Sequence, residues 1–281
     1  MRHIGLIAGG GKLPVNVARS VREGGEPLTV IEIDPDSPPG RFEDSVRLPL
    51  SKFGKLLKVM SKRGVTHVCL AGKVGRPDFS TFVPDVAAMR YLPGTVMAAR
   101  AGDDALLRHV MEILESKGFE ILSAQDLCRA LLLPSGILGR HGLNAASRSD
   151  AEQAMEVASI MGEHDIGQAA IVADGVVLAV EAQEGTDRMV ERVGQLPEAL
   201  RGTLQKRLGV LAKRVKPGQD ERVDLPTIGP RTVELCAEAG LAGIVSDEGR
   251  AFLIDRDECI RMADAHGLFL IGLPQATHDA T

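Results

Sequence analysis

The chain opens on "HIGLIAGGGKLP", an apolar run of strand length that stops on three consecutive glycines. "NVARSVREGG" follows with apolar residues at helical spacing and "PLTVIEID" returns to a strand-like run, so this stretch predicts a β-α-β unit. "SKFGKLLKVMSKRG" has the stripe of an amphipathic helix, and "VTHVCLAGKV" predicts a third strand. "GDDALLRHVMEILESKG" predicts a helix closed by Gly118, "FEILSA" a short strand, and "QDLCRALL" a short helix stopped by Pro134. Strands alternating with helices in this way predict a parallel sheet covered by helices, a Rossmann-like N-terminal domain. Pro134, Ser135 and Gly136 interrupt the pattern, so the expected division is a nucleotide-binding domain over residues 1–134 and a second domain over 135–281.

In the second domain Ser149 and Glu152 have capping-box spacing, which predicts a helix start ahead of "AMEVASIMGEH". "AAIVADGVVLAVEA" holds two β-rich runs around Asp174 and Gly175, a residue pair suited to a tight hairpin turn. Antiparallel pairing then enters, and the domain is expected to be α/β with a mixed sheet. "LGVLAKRV" predicts another strand, "RTVELCAEAG" a helix with Pro230 in first position, and "LAGIVSDEGRAFLI" a further pair of strands. Asp255 and Glu258 repeat the capping-box spacing before "CIRMADAHG", and the tail beyond Pro274 is expected to fray.

Composition narrows the classes. With 281 residues, 44% hydrophobic and 25% charged, the chain is globular and has room for two ordinary domains. A net charge of -5 argues against a broad grip on nucleic acid, which needs a basic face to displace counterions. Cys69, Cys128, Cys236 and Cys259 are scattered without CxxC spacing and no signal peptide precedes Met1, so the expectation is reduced thiols, no structural zinc and a cytoplasmic setting. No apolar run approaches the roughly 20 residues that span a bilayer.

"AGGGKLP" stands where a phosphate-cradling turn would, after a strand and at a helix start. It fits neither standard fingerprint: from Gly9 a dinucleotide motif wants glycine where Pro14 stands, and a P-loop wants Ser or Thr where Leu13 follows Lys12. Gly10, Gly11, Lys12 and Leu13 are candidate nucleotide contacts, with a plain tight turn as the alternative. "LAGKVGRP" follows the third strand, so Gly72, Lys73 and Arg76 would share the same crevice and flank a diphosphate, unless they are ordinary loop charges. Asp103 and Asp104 open a predicted helix, where they complement its dipole or help hold a hard cation. Gln125, in the short "QDLCRALL" helix, is a further substrate-binding candidate. "AVEAQEGTDRMVER" leaves a strand through Glu181 and Glu184 and enters a helix at Gly185, Thr186 and Asp187, either as a cap or as an anion site. "KPGQDERVDLPTIGP" gathers charges with three prolines and two glycines, which describes a shaped loop. No HxxxH, HExxH or GxSxG pattern occurs, so zincin and serine-hydrolase readings lack their signatures.

Taken in order, "LIAGGGKLP", "LAGKVGRP", "GDDALL", "DIGQAAIVADGVVLAVEAQEGTD", "KPGQDERVDLPTIGPRTVE" and "AGLAGI" resemble the LpxI-type UDP-2,3-diacylglucosamine pyrophosphatases of bacterial lipid A synthesis. The likeness runs to about Leu273. It implies a two-domain hydrolase that, with a divalent cation such as Mg²⁺, splits UDP-2,3-diacylglucosamine into UMP and 2,3-diacylglucosamine 1-phosphate, with the lipid-sugar ligand between the domains. It also implies a Gram-negative source and, because the substrate is acylated, peripheral contact with the inner membrane; self-association stays open.

The chemistry such a reaction needs selects among the candidates. A diphosphate resists water because its negative oxygens repel the nucleophile, so positive charge and alignment must be supplied. Asp224, in the stiff loop between Pro217 and Pro226, is the leading candidate for both the catalytic step and the cation, with Asp187 as catalytic companion and Glu184 as second ligand. Lys213 and Lys216 would face phosphate oxygens and Thr227 would donate a hydrogen bond to substrate. The catalytic role then falls to the second domain. "VAAMRYLPGTVMAA" and "LCRALLLPSGIL" supply apolar cover for acyl chains, or ordinary core. Two other functions fit the same elements: a non-hydrolytic or oxidoreductase nucleotide-binding protein, and a carrier that binds the lipid without cleaving it.

Overall fold

The computed structural model describes residues 2–75, 83–218, 220, 222 and 225–274. The chain divides into two compact units, one of Met1–Arg129 with Asp220–Asp224, the other of Ala130–Gln219 with Leu225–Thr281.

In the first unit β1 (Ile4–Ala8), α1 (Leu13–Glu23), β2 (Leu28–Glu32), β3 (Ser45–Arg47), α2 (Phe53–Lys62), β4 (His67–Ala71), α3 (Leu92–Ala101), α4 (Asp103–Ser116), β5 (Glu120–Leu122) and α5 (Ala124–Leu127) follow one another. The strands form one parallel sheet in the order β3-β2-β1-β4-β5. All five residues of β1 are buried, as a central strand covered on both faces requires. Helix α1 starts where Pro14 tolerates a first-turn position without an amide, and it turns Val17, Ala18 and Val21 inward. Ile7, Ile31, Leu56, Met60, Val68 and Leu114 pack into the unit's core. Strand order reverses at the β1/β4 pair, so their carboxyl ends form a topological switch point, the usual ligand crevice of such sheets. The sequence did not mark α3, whose residues lack a polar stripe. It packs on α4 through Gly94, where an added Cβ would lie 2.8 Å from the His109 ring.

The second unit runs β6 (Gly136–Leu138), α6 (Ala145–Glu163), β7 (Ala169–Ala173), β8 (Val176–Val180), α7 (Thr186–Gly194), α8 (Glu198–Arg201), β9 (Val210–Lys213), β10 (Thr227–Ile228), α9 (Pro230–Glu238), β11 (Gly243–Asp247), β12 (Phe252–Leu253), α10 (Arg256–His266) and β13 (Phe269–Leu273). Its main sheet has the order β6-β13-β11-β9-β7-β8: β13, β11 and β9 are parallel, while β6, β7 and β8 pair antiparallel, the mixed sheet expected from the hairpin signal. Period-two alternation sends Ile171, Leu211, Ile244 and Leu270 to one core, and Val172, Val210, Val245 and Ile271 to another. The β7–β8 turn uses Asp174 and Gly175 at φ 47° and 74°, the left-handed angles that such a turn demands.

Three local readings change. Helix α6 starts a turn earlier than the Ser149–Glu152 spacing predicts. The Asn144 side chain accepts the Ser147 amide at 2.9 Å and Ser147 Oγ accepts the Asn144 amide at 2.9 Å, satisfying the first orphan donors there. Asp255 does precede α10 but sits at φ 53° with no side-chain cap bond. The run "LAGIVSDEGRAFLI" yields two strands that do not pair with each other: β12 leaves the main sheet and pairs parallel with β10. No helix among the described residues is long and apolar enough to cross a membrane.

Candidate functional site

At the switch point of the first unit the glycine turn is fastened to its neighbour. The Gly10 amide donates to the Lys73 carbonyl at 2.7 Å and the Lys73 amide returns a bond to the Gly10 carbonyl at 3.1 Å. A Cβ on Gly9 would lie 2.6 Å from the Lys73 carbonyl oxygen, and one on Gly72, already at φ 91°, would lie 2.5 Å from that of Gly10. These glycines therefore permit two backbones to touch. Arg41, from the proline-rich loop after β2, donates to the carbonyls of Gly9 (2.7 Å) and Gly11. With the Gly10 amide committed, the open part of the turn is Gly11, followed by Lys12 at the N-cap of α1 and Leu13 as its first residue.

Two acids end β2. Glu32 is buried, accepts from Ser37 at 2.5 Å and from Ser45, and lies 3.4 Å from Arg47. Burial alone would raise its pKa, but those three partners outweigh burial and hold it below the usual glutamate range. It is spent on structure. The Asp34 carboxylate accepts the Asp36 amide at 3.1 Å and faces Gly10, its Oδ2 lying 3.1 Å from where a Cβ there would be. Gln125 follows β5 in α5, whose start is capped by Ser123 accepting the Asp126 amide. Asp103 and Asp104 open α4, with Asp104 paired to Arg108.

In the second unit a polar cluster forms where β9 and β11 end and β8 leads into α7. Lys213 is only 5% exposed, and its Nζ donates to the Thr227 carbonyl at 3.0 Å. Its own carbonyl accepts Ser246 Oγ at 2.7 Å. Next to it Arg214 reaches buried Asp247 at 3.1 Å. Buried Glu181 accepts the Gln168 amide (3.3 Å) and Thr186 Oγ1 (2.9 Å). Gly185, at φ 80°, turns the chain into α7, placing Thr186 and Asp187 in its first turn. Burial pushes the Cys236 thiol up, opposed by the charge of Lys213 and reinforced by that of Asp187.

The structure brings Gly10, Gly11, Lys12, Leu13, Gly72 and Lys73 together at one edge of the first unit; in the second, Lys213 meets Thr227 and Thr186 meets Glu181, while Gly185 and Asp187 stand at the start of α7. Glu184 turns to Arg192 at 3.0 Å, and its carboxyl is held low by a backbone hydrogen bond, against burial, and by that arginine. Lys216 is tied to Asp165 at 2.7 Å. Asp224 and Arg76 lie outside the described residues. Among those described, no three or more His, Cys, Asp and Glu side chains group as a metal site. Sequence reasoning missed Arg41, Asp34, Arg214, Ser246 and Asp247. Asp34 and Asp247 carried a signal, each an acid at the carboxyl end of a predicted strand.

The model of the LpxI N-terminal domain matches residues 3–131 and that of the LpxI C-terminal domain matches residues 134–271. This chain belongs to the LpxI family. A family member from Caulobacter vibrioides, named UDP-2,3-diacylglucosamine pyrophosphatase, is 47% identical over 275 residues, 97% of this chain and 98% of that protein. Two solved structures with a similar chain are more distant in sequence. A precorrin-6A reductase, at 11% identity with 100% of this chain and 91% of that one covered, has a TM-score of 0.35. A UDP-glucose 4-epimerase of Thermus thermophilus with NAD, at 14% identity with 98% and 86% covered, has a TM-score of 0.31. Neither score carries an argument about function. The LpxI membership and the topology described above stand without them.

Proposed function

We propose that this protein hydrolyses the diphosphate of UDP-2,3-diacylglucosamine, releasing UMP and 2,3-diacylglucosamine 1-phosphate for lipid A synthesis. The observation that carries the reading is the 47% identity to the Caulobacter pyrophosphatase over 97% of the chain. In the first unit Gly11, Lys12 and Leu13 offer the open turn and helix start to the nucleotide, with Gly72 and Lys73 beside them. In the second unit Lys213, buried with its Nζ on the Thr227 carbonyl, presents a cation to phosphate oxygens, while Thr186 and Asp187 stand at the amino end of α7 as its anion-facing residues.

A divalent cation, Mg²⁺ by charge and ligand chemistry, suits this reaction. Among the described residues no acids gather as a metal site, and Glu184, engaged by Arg192, becomes a ligand only when released. Such an ion keeps water and substrate phosphates as ligands, so one carboxylate suffices, and we assign it to Asp224. When bound, the ion neutralises diphosphate charge. Phosphorus NMR of purified protein with UDP-2,3-diacylglucosamine should show UMP appear, and a chelator should stop it. Asp224→Ala should abolish turnover while cooperative unfolding stays unchanged. Binding without cleavage by the wild type would make the protein a carrier, and normal turnover by the variant would remove Asp224 from the mechanism.

A further inference from the structure

From Ser45 to Gly102 the sequence has ten Lys and Arg against two Asp, in a chain whose net charge is -5. One of the two acids, Asp85, turns its carboxylate onto the backbone, accepting the amides of Lys55 (2.8 Å) and Ala88 (2.7 Å). These bonds seat the 85–88 turn on the amino end of α2, where Cβ atoms on Gly54 would collide with Asp85 and Ala87. Lys52 Nζ reaches the Val83 carbonyl at 3.4 Å. On this basic ground stand Val83 (70% exposed), Val86 (88%), Met89 (59%) and Met97 (72%). Pro93, Met97 and Arg100 recur at three- and four-residue intervals along α3 and share one exposed stripe, which Val86 and Met89 precede on the exposed turns that lead into the helix. The opposite side of α3 packs on α4.

We propose that this stripe is a membrane-docking face: Val83, Val86, Met89 and Met97 enter the acyl boundary of a bilayer while Lys52, Lys55, Arg90 and Arg100 meet anionic headgroups. Exposed apolar residues flanked by cations are the composition of an interfacial helix, and the excess of basic residues over this stretch singles out an anionic surface as the occupant. A second copy of the chain would bring the same cations against each other. The inference rests on surface exposure and charge; the acylated substrate of the proposed function gives it a purpose. Its test contains no substrate, so either reading can fail alone.

The test is flotation of the full chain with phosphatidylglycerol vesicles and with phosphatidylcholine vesicles at low and physiological salt. The phosphatidylglycerol vesicles should bind about tenfold more protein, with the difference shrinking in salt. Val86→Asp with Met97→Asp should reduce binding about tenfold. Lys52→Glu with Lys55→Glu, which leaves every apolar side chain in place, should do the same if the first variant folds poorly. Equal binding to both vesicles, unchanged binding by the charge-reversed variant, or a concentration-dependent dimer that the apolar variant abolishes without vesicle binding by the wild type would each overturn the proposal.

Discussion

Glu32 shows how a residue's sequence position misleads and its surroundings decide. An acid at the end of the second strand of a Rossmann-like sheet is where a ribose contact is expected, yet its oxygens are occupied by Ser37, Ser45 and Arg47. Because its folded pKa lies below the ordinary value, the stabilisation it supplies is complete above the unfolded pKa and is lost as pH falls through the folded one. Glu32→Gln should therefore be less stable than wild type at neutral pH, with the gap in urea midpoint closing as pH drops below about 4. A gap that persists unchanged in acid would assign the loss to packing. Such pairings were not legible: Ser37 and Ser45 stand five and thirteen residues away in a stretch that reads only as loop. Arg41 was hidden for the same reason. The roles of Gly9 and Gly72 were half legible, since glycines announced a special backbone but not that each leaves room for the other's loop.

At the level of elements, hydrophobic period and turn chemistry carried most of the information. The Asp174–Gly175 hairpin was readable because its angles admit few residues; what braces it was not. Asp150, on α6 and 2% exposed, accepts the amides of Asp174 (3.0 Å) and Gly175 (2.8 Å). Asp150→Ala leaves two turn amides without that acceptor and should cost about 2 kcal/mol in urea denaturation, while Asp150→Asn, keeping one acceptor oxygen, should cost less. Equal losses would show that the bonds matter less than the volume. Elements without a period were missed: three-residue β3 is too short to show alternation, and α3 is apolar on faces that water reaches. The pairing of β12 with β10 was beyond sequence because both strands have two residues, too few to show a period.

On the scale of the molecule, the core clusters among the described residues each stay within one unit: Met60, Met111 and Leu114 in the first, Met189, Leu211 and Ile244 in the second. Cores that do not cross from one unit to the other predict two cooperative transitions. In calorimetry the measured enthalpy should exceed the van't Hoff value; Leu114→Ala should shift one component and Leu211→Ala the other, each by about 2–5 kcal/mol. A single transition moved equally by both substitutions would refute this. Parallel β-α alternation made the first unit's architecture legible and the hairpin made the second's mixed sheet legible. The candidate site was legible as strings of residues, whereas its side-chain partners come from strands that meet only after folding.

The reciprocal bonds of Gly10 and Lys73 join two turns more than sixty positions apart in the chain. They are therefore a single mechanical part: neither can be remodelled, grafted or loosened alone, and an occupant that stiffens the backbone at Gly11 must also quiet the loop that carries the Lys73 ammonium.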